Sequence, residues 1–248
     1  MWCVRRVRPP RLRRMQAVIF DWGGTLTPWK TMARDTGWQA YVGSLHPEQP
    51  ERAAELVGAL VAAEDAAWGR GRAEGRAFTL AQVLAAAGVP EDDAALLAYR
   101  TVWEPATYTD PAVVPVVMAL RERGLRTGVL SSTAWPSAWH EYFLSRDGAL
   151  DCFDACVWTS DLPWTKPNAE AFRAAMAAVG ADDPSRCVYV GDRMFDDVTG
   201  AKAVGMRAVF VPHSRVPADQ IGEVVGEPDA VINELSDLLP IVDEWLER

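Results

Sequence analysis

Five short apolar runs, each cut off by polar residues, constrain the fold of this 248-residue chain more than any other feature. Residues 16–20 end at Asp21 and a Gly-Gly pair, and residues 126–130 end at Ser131-Ser132-Thr133. Residues 155–158 end at Thr159-Ser160-Asp161, 187–190 at Gly191-Asp192, and 208–211 at Pro212. Runs of this length, the first of them rich in β-branched residues, read as buried strands running into loops.

Helical stretches separate the runs. One spans 111–123, with Asp110 as N-cap, Pro111 in the first turn and Gly124 as the stop; another spans 168–179 and stops at Gly180. Buried runs alternating with amphipathic helices predict an α/β fold, a parallel sheet with helices on both faces. Ligands of such sheets sit at the carboxyl ends of the strands, where the polar residues of this sequence cluster.

Residues 28–109 break the alternation. They read as helical throughout, with Leu56, Val57, Leu60 and Val61 spaced along one helix face. Thr79-Leu80-Ala81-Gln82 has the form of a capping box, Gly88 followed by Pro90 supplies a helix stop, and a further helix runs to about Trp103. The expected organisation is a core of residues 15–27 and 110–248, a helical insertion over 28–109 and a basic extension over 1–14.

Charge and composition limit the function classes. The formal charge is −9, but residues 1–14 hold six arginines and no acid, which leaves −15 on the rest. An acidic body opposes nucleic-acid binding, which depends on Lys and Arg neutralising phosphates, while still allowing a small anion in a local positive site. No apolar run approaches the roughly 20 residues that cross a bilayer, so no membrane association is expected. The prefix has no apolar segment or cleavage-like small residues, and reads as an extension ahead of a start at Met15. Cys3, Cys152, Cys156 and Cys187 lack metal-site pairing and fit reduced thiols in a cytoplasmic protein. Nothing in the sequence specifies an oligomeric state.

Asp21 directly follows a predicted strand, which puts a carboxylate at the sheet edge beside a Gly-rich loop whose N–H groups can hold an anion. A carboxylate nucleophile divides hydrolysis into two steps, but attack on an anionic phosphate needs positive charge nearby. The segment Gly191-Asp192-Arg193-Met194-Phe195-Asp196-Asp197 follows another strand, and its acids can join Asp21 around a hard, oxygen-liganded cation such as Mg2+. Lys166, in Thr165-Lys166-Pro167, can neutralise both phosphate and nucleophile.

Four elements in this order, strand-Asp-x-x-Gly-Thr, a strand ending in Ser, Lys-Pro before a helix, and strand-Gly-Asp-x4-Asp, resemble the ordered motifs of the haloacid dehalogenase-like hydrolases. The resemblance spans about residues 16–211. It implies a Rossmann-like core and, because the helical insertion falls between the first and second motifs, a C1-type cap that selects the substrate. It further implies Asp21 as nucleophile and metal ligand, Ser131 bonding the transferring phosphoryl group, Lys166 stabilising charge, Asp192 binding Mg2+ and Asp197 supporting it. The Gly23 carbonyl would be a further metal ligand, with Trp22, Gly24, Thr25 and Ser132 contacting substrate. The implied activity is a Mg2+-dependent phosphatase acting on a small phosphorylated metabolite through an aspartyl-phosphate.

One position departs from the pattern. Phosphatases of this family usually carry a second Asp two residues after the nucleophile, to protonate the leaving group and then activate water; here Gly23 stands there. Loss of such assistance forfeits about 10²- to 10⁴-fold in rate. Gly23 therefore also suits a catalytically weak module that retains the phosphate and metal pocket. Asp21-Trp22-Gly23-Gly24-Thr25 is similar to the first motif of phosphonoacetaldehyde hydrolases, but these need a cap lysine, and no lysine lies between Thr31 and Thr165. The dehalogenase branch resembles Asp-x-Tyr-Gly-Thr with Ser-Asn after the second strand and works without metal, a poorer match to Gly23, Ser132 and the retained acids.

Each residue also has a plainer reading. Asp21 can cap a turn, Asp192 can be a solvated loop residue, Asp197 can cap the following helix, and Ser131 and Thr133 can satisfy strand-end backbone groups. Asp196 suits a helix N-terminus electrostatically, and Arg193 can hold a loop or a phosphate. Trp22, Trp29, Trp38, Trp68 and Trp103 are candidates for a pocket wall between insertion and core, or for ordinary packing. His46, His140 and His213 show no helix-spaced pair and suggest no histidine metal site.

Overall fold

The structure, a computed structural model, describes residues 15–213 and 223–247. The Arg-rich prefix, expected as an extension, lies outside the described residues.

Six parallel strands form one sheet in the order β3-β2-β1-β4-β5-β6. They are β1 (Ala17–Phe20), β2 (Arg126–Ser131), β3 (Ala155–Trp158), β4 (Cys187–Gly191), β5 (Arg207–Phe210) and β6 (Ala230–Val231). The chain winds outward from β1 through β2 to β3, then returns to place β4 on the other side of β1. This reversal opens a crevice at the carboxyl ends of the central strands, the usual ligand site of a doubly wound sheet.

Alternation along the strands builds two apolar layers. Val18, Phe20, Val188 and Val190 face one way, toward α5 (Val113–Glu122), α6 (Ser137–Arg146) and α9 (Leu238–Glu247). Ala17, Ile19, Cys187 and Tyr189 face the other, toward α7 (Ala169–Ala178) and α8 (Gly200–Val204). The α/β class and the two helical faces are as expected from the sequence.

Local details differ. Helix α5 begins at Val113 rather than Pro111, because Asp110 Oδ1 accepts the Ala112 N–H at 2.8 Å and closes a turn before the helix. Asn168 does cap α7, accepting the Glu170 N–H at 2.9 Å. The two-residue β6 is too short to leave a hydrophobic pattern.

Between β1 and α5 lie α1 (Thr36–Leu45), α2 (Pro50–Glu74), α3 (Leu80–Ala86) and α4 (Asp93–Trp103), joined by non-helical connections rather than continuously helical. They share an apolar cluster that includes Trp38, Tyr41, Leu60, Leu84 and Tyr99. Leu56 and Leu60 are buried while Val57 and Val61 are partly covered, so the helical spacing read in the sequence does mark the inner face of α2. Thr79 and Gln82 form the reciprocal capping box. Backbone bonds tie this insertion to loops after β2 and β3: Leu80 N to Ala134 O at 2.9 Å, Thr165 N to Gly75 O at 2.9 Å and Ala77 N to Pro163 O at 3.1 Å.

Candidate active site

Asp21 leaves the end of β1 with its N–H donated to Val190 O at 2.8 Å, so the ladder holds it between the ends of β2 and β4. The chain then turns back on itself: the Leu26 and Thr27 N–H groups both reach Trp22 O, at 2.9 and 3.0 Å. Gly24 supplies a φ of 87° in this turn, a conformation that favours glycine, and gives its N–H to Thr27 O. Gly24 and Thr25 are buried inside the loop, whereas Asp21, Trp22 and Gly23 border the adjoining cavity.

Lys166 arrives from the opposite side, after β3, and is buried. Its ammonium donates to Asp21 Oδ1 at 2.7 Å, to Asp197 Oδ1 at 2.6 Å and to the Tyr189 hydroxyl at 2.9 Å, which uses all three protons. Tyr189 in turn donates to Leu130 O at 2.7 Å. Burial acts to lower the Lys166 pKa but is overcome by the carboxylates of Asp197 and Asp21, which hold it well above the ordinary value. The cation is therefore fixed in charge and in direction.

Asp192 follows β4, and Asp197 sits in a π-helical turn over Met194–Thr199. Asp197 Oδ2 accepts the Arg193 N–H at 2.8 Å, reaching back four residues rather than capping the helix that follows. This return is possible only beside a glycine, because a Cβ on Gly191 would lie 2.3 Å from the Asp197 carboxyl carbon. Carboxylate oxygens of Asp21, Asp192 and Asp197 all lie within 4.8 Å of one another. Burial pushes the Asp192 carboxyl well above its usual range, and the charges of Asp21 and Asp197 add to the effect. Burial also raises Asp197, to about 6, with Lys166 opposing. Three converging carboxylates around one lysine leave surplus negative charge, and their hard oxygen donors suit a divalent cation.

A cavity of about 360 Å³ opens above these groups, a size that suits a small metabolite. Ser131 and Ser132, at the end of β2, stand on its wall with Lys166. Ser132 Oγ accepts the Thr165 hydroxyl at 2.8 Å, which leaves its own proton available. Gly23 has open space where a Cβ would be, with nothing within 4 Å. Of the tryptophans named from the sequence, Trp22, Trp29, Trp68 and Trp103 reach this cavity; Trp38 is fully buried in the insertion and bonds Glu64.

Several cavity residues were not singled out by sequence reasoning, among them Glu64 and Tyr99 from the insertion and Trp135 from the segment after β2. His140 and Asp196, read from the sequence without a site role, also line it. His140 is not a surface residue: it is buried, stacks on Trp158 at 4.2 Å between ring centroids and bonds Thr133 Oγ1 at 2.9 Å. Asp196 pairs with Arg193 at 3.7 Å. Glu64, Tyr99 and Trp135 carry no local motif; only the fold brings them together.

A family model for haloacid dehalogenase-like hydrolases matches residues 15–205. The chain belongs to the haloacid dehalogenase-like hydrolases. Among curated relatives, it is 31% identical over 134 residues to a glyceraldehyde 3-phosphate phosphatase of Methanopyrus kandleri, covering 54% of this chain and 56% of that one. It is 31% identical over 102 residues to hexitol phosphatase B of Escherichia coli, covering 41% and 44%. The chain thus spans about half the length of the curated relatives it matches. Among solved structures, a phosphatase of this family from Thermococcus onnurineus superposes with a TM-score of 0.63 at 22% identity, covering 92% of this chain and 98% of that one. An L-2-haloacid dehalogenase from Xanthobacter autotrophicus gives 0.60 at 19% identity, with the same coverage. At such identities the family's hydrolases share the fold with this chain, and chemistry must be argued from the site.

Proposed function

We propose that this hydrolase is a Mg2+-dependent phosphatase that acts on a small phosphorylated metabolite through an aspartyl-phosphate at Asp21. The observation that carries the reading is the buried Lys166 ammonium, 2.7 Å from Asp21 Oδ1 at the floor of a metabolite-sized cavity. A fixed positive charge there offsets the repulsion that a carboxylate meets on approaching a phosphate dianion.

In the first step an Asp21 oxygen forms a bond to phosphorus and the ester P–O bond breaks, with its electron pair leaving on the alcohol oxygen, which takes up a proton. In the second step water attacks the acyl-phosphate, releasing inorganic phosphate and restoring the Asp21 carboxylate. Ser131 hydrogen-bonds a phosphoryl oxygen, Lys166 offsets the charge, and Trp22 with Ser132 borders the substrate. Asp21, Asp192, Asp197 and the Gly23 carbonyl would hold Mg2+, which supplies further charge neutralisation when bound. The helical insertion serves as the cap that encloses the leaving group.

The relatives named as phosphatases support this reaction class over its alternatives. A phosphonatase needs an imine-forming lysine above the nucleophile. Lys30, the one lysine of residues 28–109, lies beside the first motif, is exposed and donates to Pro105 O instead. Gly23 favours a second reading, a weakly catalytic phosphate- and metal-binding module, because no side chain there can protonate the leaving oxygen.

The test is a panel of phosphorylated metabolites with and without Mg2+, comparing wild type with Asp21→Asn. Mg2+-dependent release of phosphate, abolished by Asp21→Asn, is expected. Activity insensitive to that substitution would overturn the nucleophile assignment, while Mg2+-dependent phosphate binding without hydrolysis would favour the second reading.

A further inference from the structure

The cavity has two chemically different ends. On the side of Asp21, Lys166 and Arg193 stand among the carboxylates of Asp21 and Asp196, a charged end that would receive the phosphate together with a bound cation. The insertion contributes Trp68, Tyr99 and Trp103, joined by Trp135 from the segment after β2. Tyr99, Trp103 and Trp135 form one continuous aromatic wall, with ring centroids 5.7–6.4 Å apart.

Glu64 of α2 stands on this wall. Its Oε2 accepts the Trp38 indole N–H at 2.7 Å, and the Trp68 indole also favours its charged form. The bond from Trp38 orients the carboxylate without neutralising it. Among the described residues Glu64 forms no salt bridge, although burial raises its pKa. Arg34, which also borders the cavity, acts on Glu64 through its charge and makes an ion pair with Asp65 at 3.0 Å, while Asp196 lies under the charges of Arg193 and Arg72.

We propose that Glu64 and this aromatic wall form a cage for an alkylammonium group, so that the preferred substrates are phosphomonoesters of small amino or quaternary-ammonium alcohols. This rests on the phosphatase reading and names its substrate class. The negative faces of indole and phenol rings attract cations, and desolvation strengthens the attraction. A carboxylate held among those rings adds the matching charge. The substrate would lie with its phosphate at Lys166 and its ammonium at Glu64.

The same class suits Gly23. A positive nitrogen close to the ester oxygen withdraws electrons and stabilises the departing alkoxide. A leaving group of this kind needs less help from the proton donor that Gly23 lacks.

The full-length protein is tested with phosphocholine and with 3,3-dimethylbutyl phosphate, its neutral isostere, in Mg2+, with 4-nitrophenyl phosphate as a generic substrate. Wild type is expected to favour phosphocholine over the isostere by about tenfold or more in kcat/KM, and Glu64→Gln to lower that ratio severalfold, leaving the share due to the aromatic wall. Equal kcat/KM for the two esters in wild type overturns the cage, even if 4-nitrophenyl phosphate is hydrolysed. If no ester is hydrolysed, the phosphatase reading fails by itself, and the cage is judged by binding. Titration of Asp21→Asn, followed by indole fluorescence, should then show phosphocholine binding about tenfold tighter than the isostere, and equal affinities sink the proposal.

Discussion

Lys166 Nζ and Asp197 Oδ1 meet at 2.6 Å with both side chains almost wholly out of water, at 3% and 1% exposure. Removing one partner of a buried pair leaves an uncompensated charge, at a cost of about 3–5 kcal/mol. Lys166→Met should therefore destabilise the fold by about that much near neutral pH and abolish phosphate release. The folded pKa of Lys166 lies above its ordinary value, so its contribution is fully present below that value and is lost only as pH rises through the folded pKa. In the variant the Asp197 carboxyl, raised by burial and no longer held down by Lys166, takes up a proton as pH falls, so the deficit should shrink between about pH 8 and about pH 5.5 in urea unfolding. An equal deficit at both pH values would mean that lost packing, not charge, is responsible.

Gly23→Asp should raise phosphatase turnover. The position has room for a side chain and a backbone that L-residues adopt, since its φ is not positive and a Cβ there meets nothing within 4 Å. Restored proton transfer is worth about 10²- to 10⁴-fold, most for substrates with poor leaving groups. Steady-state kcat on an alkyl phosphate, compared with 4-nitrophenyl phosphate, checks this; no gain on the alkyl ester would show that proton transfer is not what limits this site.

The sequence made the sheet legible because each central strand is a short apolar run ended by a polar residue, and those ends are where Asp21, Ser131 and Asp192 stand. Lys166 was legible through its Lys-Pro setting. Tyr189, which takes one of the Lys166 protons, was not, because within β4 it reads as one more core aromatic. Glu64 and Trp135 are separated by some seventy positions and meet only through the packing of the insertion on the loop after β2; no periodicity encodes that. Helix α5 starts late because the Asp110 carboxylate closes a turn at Ala112, a competition between turn and cap that local propensity does not resolve.

Mg2+ should stabilise the wild-type protein in a concentration-dependent way, by about 2.7 kcal/mol at a hundredfold excess over Kd. The folded pKa of Asp192 is raised by burial and by Asp21 and Asp197, so its ionised form opposes folding when no cation is bound. Asp192→Asn should consequently be more stable than wild type in chelator, yet gain little on adding Mg2+. Thermal unfolding of both proteins, with and without the metal, measures the two effects. The same Mg2+ shift in the variant would remove Asp192 from the ligand set.

His140 gives a stability change of the opposite pH sense. Burial alone lowers its pKa to about 3, and the neutral ring stacks on Trp158 while bonding Thr133 Oγ1. The folded pKa is below the unfolded value of about 6.5, so the unfolded chain binds more protons between the two. The stabilisation is complete above about pH 6.5 and is lost as pH falls toward the folded pKa. From about pH 7 to about pH 5 this amounts to about 2 kcal/mol. His140→Phe keeps an aromatic ring but not the titration. The stability difference between wild type and variant should therefore move by about 2 kcal/mol in the variant's favour over that interval. Taking the difference cancels Asp192, Asp196 and Asp197, whose raised pKa values act in the other direction in both proteins. A difference that stays constant from pH to pH would show that His140 is protonated in the folded state as readily as in the unfolded one.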